Sequence, residues 1–545
     1  MNTNQNKDIG TTPAHGEVTR SSGGNGCVEG SLETDPAVCS AAGDQDRKSY
    51  GQILKSSSII GGVQGINYII GMLRVKLLAV MLGPSGVGLL GLYTSAIGLI
   101  SIIAGLGLDS SGVREVAEAH ESGDRHKIAS TILTLRRICW ITGSIGWLIC
   151  VTLSYPLSIY TFGSSERACA IATLGVTILI AAVSGGQSAI IQGTRRIGDL
   201  ARMGVLSSVT STIAVVGLYW RLRQDGIVPA MVISAAINMG FSWWFARKIS
   251  IIPISYTMRE TVRNSRHLIR IGIAFMYGAV LASLVALTMR SQIVKNYGLD
   301  ANGIYQAAWA ISGMFGGFII NAMGTDFYPR LTAVSQNNTL VNRLVNEQAE
   351  IGILLALPGL LGTLVFAPFI MMTFYSTKFL AGADMLPWFV MGVFGQVLIF
   401  PPGMITRAKG AVRWIYIGQT WANLSYFILA SILLSKYGIM GLAYASPVCI
   451  TLQGVLVLSI TRHLTDFRWS RSVLVLIMIA VLLIAAALGT RQIPNLITRL
   501  SVGTILAAIG CLVSLRGITS RLGEEHRIIQ LAMKIPGGKF AIGIK

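Results

Sequence analysis

The sequence predicts an all-α integral membrane protein with about fourteen transmembrane helices, arranged as two pseudo-symmetric six-helix lobes around a central cavity plus a C-terminal helix pair. Three observations lead to this fold class. Only 12% of the 545 residues are charged and 52% are hydrophobic, whereas about 25% of the residues of a soluble protein are charged. Apolar stretches of about 18–25 residues recur, each long enough to cross ~30 Å of hydrocarbon as a helix. Landmark residues of the first half also reappear in the second half.

The apolar stretches divide the chain into five regions. The polar segment 1–48 predicts a disordered cytoplasmic tail. Six helices fall in 49–250, six in 251–462 and an extra pair in 463–517, and a basic cytoplasmic tail occupies 518–545. The predicted helices are 56–82, 87–108, 133–153, 168–192, 203–220, 228–246, 268–294, 303–328, 347–373, 384–405, 414–435, 439–460, 472–489 and 500–517.

Basic residues are distributed unequally between the predicted loops. The chain has 44 Lys and Arg against 24 Asp and Glu, a formal net charge of +20. With the N-terminus inside, the cytoplasmic loops hold twenty-two basic residues and the external loops eight. This asymmetry predicts that both termini are cytoplasmic. It also explains the basic excess without a nucleic-acid partner.

Two stretches of the chain resemble each other and predict an internal repeat. "LRVKLLAVMLGPSGVGLL" begins at position 73, and "MRSQIVKNYGLDANGIYQ" begins at 289. The matching landmarks lie 215 or 216 positions apart: Arg74 with Arg290, Gly83 with Gly298, and Gly88 with Gly303. Because each half holds six helices, the two copies have the same topology. Many secondary transporters are built in this way, with the substrate path between the repeats.

The first predicted helix carries a polar stripe. Gln64, Asn67, Gly71 and Arg74 are spaced by three and four residues, so they share one helix face. Polar residues in a spanning helix face the bundle interior or a water-filled cavity. We therefore expect Arg74 to lie in a cavity; the alternative is an interfacial anchor. Lys76 lies far round the helix, and we expect it to extend toward the outer headgroups.

The seventh and eighth predicted helices carry the corresponding candidates of the second half. Arg290 occupies the position equivalent to Arg74. Two guanidinium groups at one cavity would match phosphate oxygens, which predicts an anionic, phosphate-bearing substrate; the alternative is a purely positional role near the membrane boundary. Gln306 and Asn321 are further candidates for the cavity wall. The neighbouring Gly313 and Gly317 have the spacing of closely packed helices.

Two carboxylates, Asp109 and Asp326, lie at the inner ends of the second and eighth predicted helices. Each is followed by an arginine four or five positions later. They are candidates for a protonatable or Na⁺-binding group that couples transport to an ion gradient. The alternative is an ion pair at the helix end.

The motifs that mark common catalytic sites are missing from the sequence. It contains no GxxxxGK[ST], no HExxH and no Gly-x-Ser-x-Gly. The seven cysteines show no metal-ligand spacing. We therefore predict a non-enzymatic protein that uses neither a cofactor nor a metal.

The stretch "KLLAVMLGPSGVGLLGLYTSAIGLISIIAGLGL" at 76–108, followed by "GVREVAE" at 112–118, resembles the start of bacterial O-antigen and polysaccharide flippases. These belong to the multidrug/oligosaccharidyl-lipid/polysaccharide exporter superfamily. The resemblance covers roughly residues 50–517. It implies a protein of the bacterial inner membrane that moves oligosaccharide linked to undecaprenyl diphosphate from the cytoplasmic to the periplasmic leaflet, with Arg74 and Arg290 holding the diphosphate.

The same resemblance implies partners and leaves alternatives open. Expected partners are the lipid-linked glycan, membrane lipid, H⁺ or Na⁺ as coupling ion, and a polysaccharide polymerase with its chain-length regulator. The product would be O-antigen, capsule or exopolysaccharide. Alternatives within the superfamily are a multidrug exporter and a flippase of peptidoglycan precursors. A membrane polymerase or ligase is disfavoured because such enzymes need a sizeable external loop.

Overall fold

A computed structural model of the protein describes the backbone of residues 36–249, 252, 254 and 257–522. Side chains are described over these ranges except at positions 36–64, 68, 109–110, 258–260, 262–275, 318, 322, 324–326 and 521–522. The described residues form α-helices joined by short turns, and no strand occurs among them. The predicted all-α class is confirmed.

The described chain contains thirteen α-helices, some of which combine two membrane-length segments. Their bounds are α1 Pro36–Gly105, α2 Leu108–Glu121, α3 Arg125–Phe162, α4 Ala168–Gly193, α5 Ile197–Leu222, α6 Ile227–Ala246, α7 Met258–Ala333, α8 Asn338–Phe374, α9 Gly382–Ala408, α10 Val412–Tyr437, α11 Ile439–Thr465, α12 Arg471–Gly489 and α13 Leu496–Leu522. Short 3-10 turns occupy Arg223–Gly226, Thr377–Phe379 and Thr490–Gln492.

Eleven segments of the described chain are long and apolar enough to cross a membrane. Three of them are 41, 50 and 46 residues long: Gly65–Gly105, Ile197–Ala246 and Met276–Asn321. At about 1.5 Å per residue each exceeds 60 Å, which is twice the thickness of the hydrocarbon core. Each therefore has the length for two crossings. If each of these three segments crosses the membrane twice, the eleven segments give the predicted fourteen transmembrane helices. That count stays a prediction.

Residue contacts divide the chain into two units, Met1–Ser57 and Ser58–Lys545. Positions 36–57 of the first unit are helical, although the sequence predicts no regular structure up to residue 48. The second unit contains residues 58–250 of the first predicted lobe and the whole of the second, 251–462. The boundaries of the two lobes therefore stay a prediction. Residues 1–35 and 523–545 of the predicted tails lie outside the described residues.

The longest helices, α1 and α7, each bend at a glycine. Gly83 has φ 67° and ψ −170°, and Gly298 has φ 84° and ψ 177°. This backbone region is open essentially only to glycine, so it interrupts each helix at a defined residue. Because the two glycines are the matching landmarks of the repeat, the two halves bend their first long helix in the same way.

The two bends bring α1 and α7 into direct backbone contact. A Cβ atom on Gly88 would lie 2.1 Å from the Leu299 carbonyl oxygen, and one on Gly303 would lie 1.9 Å from the Pro84 carbonyl oxygen. These two contacts are the same contact seen from each half, because the residues involved are repeat-equivalent. Asn302 reinforces it by donating from Nδ2 to the Gly88 carbonyl oxygen at 2.7 Å. The geometry is that of a self-complementary, two-fold interface.

The C-terminal pair, α12 and α13, packs on the second half of the chain. Along α13, glycines at 503, 510 and 517 recur every seven residues, and a Cβ atom on them would come within 2.2–2.6 Å of α8 side chains. Such small residues let two helices approach closely. The turn before α13 is held by Arg491, whose Nη2 donates to the Ala383 carbonyl oxygen at 3.0 Å and whose Nη1 lies 3.8 Å from Asp384 Oδ1.

Candidate functional site

A cavity of about 730 Å³ lies between the helices of the first half and α7. Its wall comes from α1, α4, α5, α6 and α7, with one residue from the turn after α8. The polar groups of the wall are Asn67, Arg74, Thr94, Ser95, Thr177, Ser207, Ser208, Ser234, Asn238, Arg290, Gln306 and Tyr375. We call this space the cationic cavity. Its size is typical of sites for small molecules, which span about 300–1,000 Å³.

The two arginines of the wall are held by hydroxyl groups. Arg74 Nη2 donates to Ser234 Oγ at 3.4 Å. Arg290 Nη1 donates to Ser95 Oγ, and the Ser95 hydroxyl in turn donates to the Gly91 carbonyl oxygen at 2.9 Å. A hydroxyl orients a guanidinium group without cancelling its charge. Neither of these hydrogen-bond partners is a carboxylate, so the contacts do not pair either guanidinium group with a negative charge.

The described residues that line this cavity include no carboxylate. Two cations facing one space without a counter-charge repel each other, and in a medium of low dielectric constant that repulsion is expensive. A bound anion would relieve it and would gain charge-assisted hydrogen bonds. The electrostatics of the cavity therefore favour an anionic ligand over a neutral or cationic one.

Amide groups extend the donor and acceptor set beside the arginines. Asn67 Oδ1, Gln306 Oε1 and Arg290 Nε make no hydrogen bond within the described part of the protein. The side chain of Gln306 lies against Gly91, where an added Cβ would be 3.2 Å from it. A larger residue at Gly91 would displace this amide. The wall thus combines two cations with buried amide oxygens that lack a hydrogen-bond partner among the described residues.

Four of the predicted site residues meet in this cavity: Asn67, Arg74, Arg290 and Gln306. Asn321 does not line it and is exposed. The side chains of Gln64, Asp109 and Asp326 lie outside the described residues, so their predicted roles stay predictions.

Lys76 lies outside the cavity wall, as the helical spacing predicts. Its Nζ donates to the Met372 carbonyl oxygen on α8 at 2.6 Å, so it contacts protein rather than only headgroups. The predicted close packing at Gly313 and Gly317 is wrong, because no described atom would lie within 4 Å of a Cβ placed at either residue. The close approach is made instead by Gly316, whose Cβ would lie 2.9 Å from a Val393 side-chain atom.

The sequence reasoning missed the polar contribution of α5 and α6. Ser207 Oγ donates to Asn238 Oδ1 at 3.2 Å, and Asn238 Nδ2 donates to Ser184 Oγ at 3.4 Å. Ser234 and Asn238 are four residues apart on α6 and therefore share a face. That spacing is a signal in the sequence, because two polar residues on one face of an otherwise apolar helix favour a cavity over lipid.

A family profile described as "Polysaccharide biosynthesis protein" matches residues 53–335, which is more than half of the chain. The chain belongs to this family. The match covers α1 to α7, the helices that contribute nearly the whole wall of the cationic cavity. The resemblance seen at residues 76–118 is confirmed. The chain is thus a multi-pass membrane protein of the polysaccharide biosynthesis family.

Individual relatives agree with this assignment. The lipid III flippase of Escherichia coli (strain K12) is 23% identical over 392 residues, which is 69% of this chain and 90% of the relative. A Shigella flexneri protein named as an O-antigen transporter is 23% identical over 397 residues, covering 69% and 89%.

Two solved structures share the fold. The lipid II flippase MurJ has a TM-score of 0.64 at 16% identity, covering 84% of this chain and 99% of MurJ. An inward-facing MATE-family multidrug transporter has a TM-score of 0.56 at 16% identity, covering 73% and 96%.

Proposed function

We propose that this protein is a flippase that moves oligosaccharide units linked to undecaprenyl diphosphate from the cytoplasmic to the periplasmic leaflet of the bacterial inner membrane. The units would serve assembly of a surface polysaccharide: O-antigen, capsule or exopolysaccharide. One observation carries the proposal. Arg74 and Arg290, from repeat-equivalent helices, face one cavity without a carboxylate among its described lining.

The diphosphate matches this cavity in charge and geometry. A diphosphate that links lipid to sugar carries one negative charge on each phosphate, which balances the two guanidinium groups. A guanidinium group offers a planar fork of donors to phosphate oxygens. The lipid tail remains in the bilayer, so only the head group needs a polar path through the protein.

The electrostatics separate this proposal from one of its alternatives. A cationic drug would be repelled by Arg74 and Arg290, so the cavity does not favour a multidrug exporter of cations. A peptidoglycan precursor carries the same diphosphate, and charge alone does not separate the two substrates. The family match favours polysaccharide synthesis.

The contact between α1 and α7 supports alternating access. The close backbone contact at Gly88 and Gly303 joins the two halves next to the two bends, and we propose that it closes the cavity at that end. The predicted orientation makes this the periplasmic end. Rocking of the two halves around the contact would open that end and close the other. We further propose that H⁺ or Na⁺ drives the cycle, with Asp109 and Asp326 as coupling candidates, and that a polymerase and its chain-length regulator act on the product.

The proposal is tested by substituting each arginine and measuring ligand binding and transport. Purified protein in nanodiscs is titrated with undecaprenyl diphosphate. A charge-assisted hydrogen bond contributes about 1.5–3 kcal/mol, so we expect Arg74→Gln or Arg290→Gln to weaken binding about 10- to 150-fold, with partial recovery in Arg→Lys variants.

The same variants are then tested in a strain that lacks the gene. We expect undecaprenyl-diphosphate-linked units to accumulate and surface glycan to be lost, with rescue by the wild type and by Lys76→Gln but not by Arg→Gln variants. Lys76→Gln is the matched control, because it removes a neighbouring charge outside the cavity. Full rescue by both Arg→Gln variants at equal membrane abundance would refute the role of the cationic cavity. Unchanged lipid pools in the deletion strain would refute the flippase.

A further inference from the structure

A second cavity, of about 330 Å³, lies among α7, α9, α10 and α11 in the second half of the chain. It shares one wall residue, Arg290, with the cationic cavity. Its chemistry is different: Arg290 is the charged side chain of its described lining, and aromatic and amide groups make up much of the rest. The aromatic residues are Tyr305, Trp309, Phe389 and Tyr426, and the amides are Gln396, Asn423 and Gln453. We call it the aromatic cavity.

The aromatic rings form one cluster around Trp309. Tyr305 stacks on Trp309 with 19° between the ring planes and 6.2 Å between centroids, and Phe389 meets Trp309 edge-on at 5.4 Å. Tyr426 lies 6.5 Å from Trp309. Tyr305 and Phe389 are 4% and 1% exposed, whereas Trp309 is 39% exposed. The buried rings hold the indole in place, and the indole keeps an accessible surface.

The amides are arranged where a ligand on the indole could reach them. Gln396 is exposed, and Gln453 and Asn423 are half-buried. Asn423 is fixed by donating from Nδ2 to the Gln419 carbonyl oxygen at 2.8 Å. Gly313 opens further space, since no described atom lies within 4 Å of its Cβ position. An amide offers both donors and acceptors, as hydroxyl groups require.

We propose that the aromatic cavity binds the first sugar of the lipid-linked unit and that this sugar is uncharged. A pyranose ring has an apolar C–H face that packs on an aromatic face and a rim of hydroxyl groups that pair with amides. Arg290 stands at the boundary of the two cavities, where the phosphate attached to the first sugar would lie. The absence of another charged group from the described lining favours a neutral sugar. This inference rests on the proposed function.

A third cavity gives the later sugars a continuous path. It has a volume of about 280 Å³ and shares Gln396 and Gln453 with the aromatic cavity. Its wall also contains Trp414, Gln419 and Arg407. Aromatic and amide groups therefore continue from Arg290 toward the loop between α9 and α10, which the sequence predicts to be cytoplasmic. A longer oligosaccharide would lie along this route.

The test compares two ligands that differ by one sugar. Purified full-length protein in nanodiscs is titrated with undecaprenyl diphosphate carrying one N-acetylglucosamine and with the methyl ester of undecaprenyl diphosphate, a bare diphosphate that also has one negative charge on each phosphate. We expect the wild type to bind the glycosylated ligand about 5- to 10-fold more tightly, the order of one aromatic contact. Trp309→Leu should remove this difference while leaving the affinity for bare diphosphate unchanged, and Trp309→Phe should keep part of it.

Two further variants make the result independent of folding. Gln396→Leu changes an exposed wall residue and should also reduce the difference. Trp421→Leu removes an exposed tryptophan of α10 that does not line the three cavities, and it should leave both affinities unchanged. Equal binding of the two ligands by the wild type, or equal weakening of both by Trp309→Leu, would overturn the sugar site alone. Failure of the wild type to bind bare diphosphate would instead overturn the proposed function.

Discussion

Adding one methyl group at Gly303 should change which side of the membrane the cavity opens to. In Gly303→Ala the new Cβ would lie 1.9 Å from the Pro84 carbonyl oxygen. Ordinary contacts of this kind begin at 3.4 Å, so α1 and α7 must separate by about 1.5 Å. Both contacting groups belong to helix backbone, and neither can move aside as a flexible side chain could. The methyl group therefore destabilises the state in which the bent end is closed, and it fits without a clash when that end opens.

The size of the effect follows from the cost of overpacking. Inserting a methylene into a tightly packed contact costs about 1–3 kcal/mol, and the separation also lengthens the bond from Asn302 to Gly88. A change of this size shifts an equilibrium between two states about 5- to 150-fold. The shift should favour the state that is open at the bent end.

Cysteine labelling from each side of the membrane measures this shift. Thr94 lines the cationic cavity and is exposed, so Thr94→Cys is introduced after the seven native cysteines have been replaced. A membrane-impermeant maleimide is applied to spheroplasts and to inverted vesicles. Gly303→Ala should raise the periplasmic rate relative to the cytoplasmic rate by the factor above. Gly98→Ala is the matched control, because no described atom lies within 4 Å of its Cβ.

The two-fold relation sharpens the test. Gly88→Ala places its Cβ 2.1 Å from the Leu299 carbonyl oxygen, so it should shift the labelling ratio by a similar factor. The double variant should shift it by less than the product, because one separation relieves both clashes. A ratio for Gly303→Ala within about twofold of the Gly98→Ala control would show that the contact does not hold the bent end closed, given the 5- to 150-fold change expected.

Two other substitutions test neighbouring parts of the structure. Lys76→Gln loses the hydrogen bond to the Met372 carbonyl oxygen but leaves the cationic cavity intact. Because an exposed hydrogen bond contributes little, binding of undecaprenyl diphosphate should stay within about twofold of wild type. A loss of affinity as large as that of Arg74→Gln would place Lys76 in the site. Gly510→Leu places a side chain where a Cβ already lies 2.2 Å from Leu361 Cδ1. Either Leu361 repacks or α13 shifts away from α8, so thermal stability in detergent should fall by the equivalent of about 1–3 kcal/mol; an unchanged melting temperature would contradict the close packing.

The bends and the crossing of α1 and α7 were predictable in part because they depend on glycine. A backbone with positive φ and extended ψ admits glycine alone. The bend therefore requires glycine in both halves, at Gly83 and at Gly298. Close backbone approach does the same at Gly88 and Gly303. The repeat exposed these residues, although the sequence did not show that the second pair meet each other. That fact depends on how two long helices cross.

The arginines of the cationic cavity were predictable, and their hydroxyl partners were not. A charge in an apolar helix is costly enough that its presence alone indicates a polar surrounding. A serine carries no such information, because its hydroxyl can bond to a carbonyl of its own helix. Ser95 does this while also receiving Arg290. Sequence spacing therefore located Arg74 and Arg290 but gave no indication of Ser95.

The aromatic cavity was beyond the sequence reasoning for a similar reason. Tyrosine, tryptophan and phenylalanine are common in lipid-facing, buried and cavity-lining positions alike. Tyr305 and Trp309 share a helix face, but Phe389 and Tyr426 come from two other helices. Their convergence is a property of packing. The error at Gly313 has the same origin: spacing identified a row of small residues, and packing decided that Gly316 touches the neighbouring helix.

The contact between the two halves has two-fold rotational symmetry, and this symmetry bears on the minimum size of such a molecule. Gly88 meets Leu299 in the way that Gly303 meets Pro84, so the surface that each half presents is complementary to itself. Nothing in the contact requires that the two halves be joined in one polypeptide. A protein of half this length, with one bent helix and one arginine, could close against a second copy of itself by the same pair of glycines. When the two halves are joined in one chain, their sequences can diverge. The cavity on one side of Arg290 could then become cationic and the cavity on the other side aromatic, while the contact at Gly88 and Gly303 stays the same.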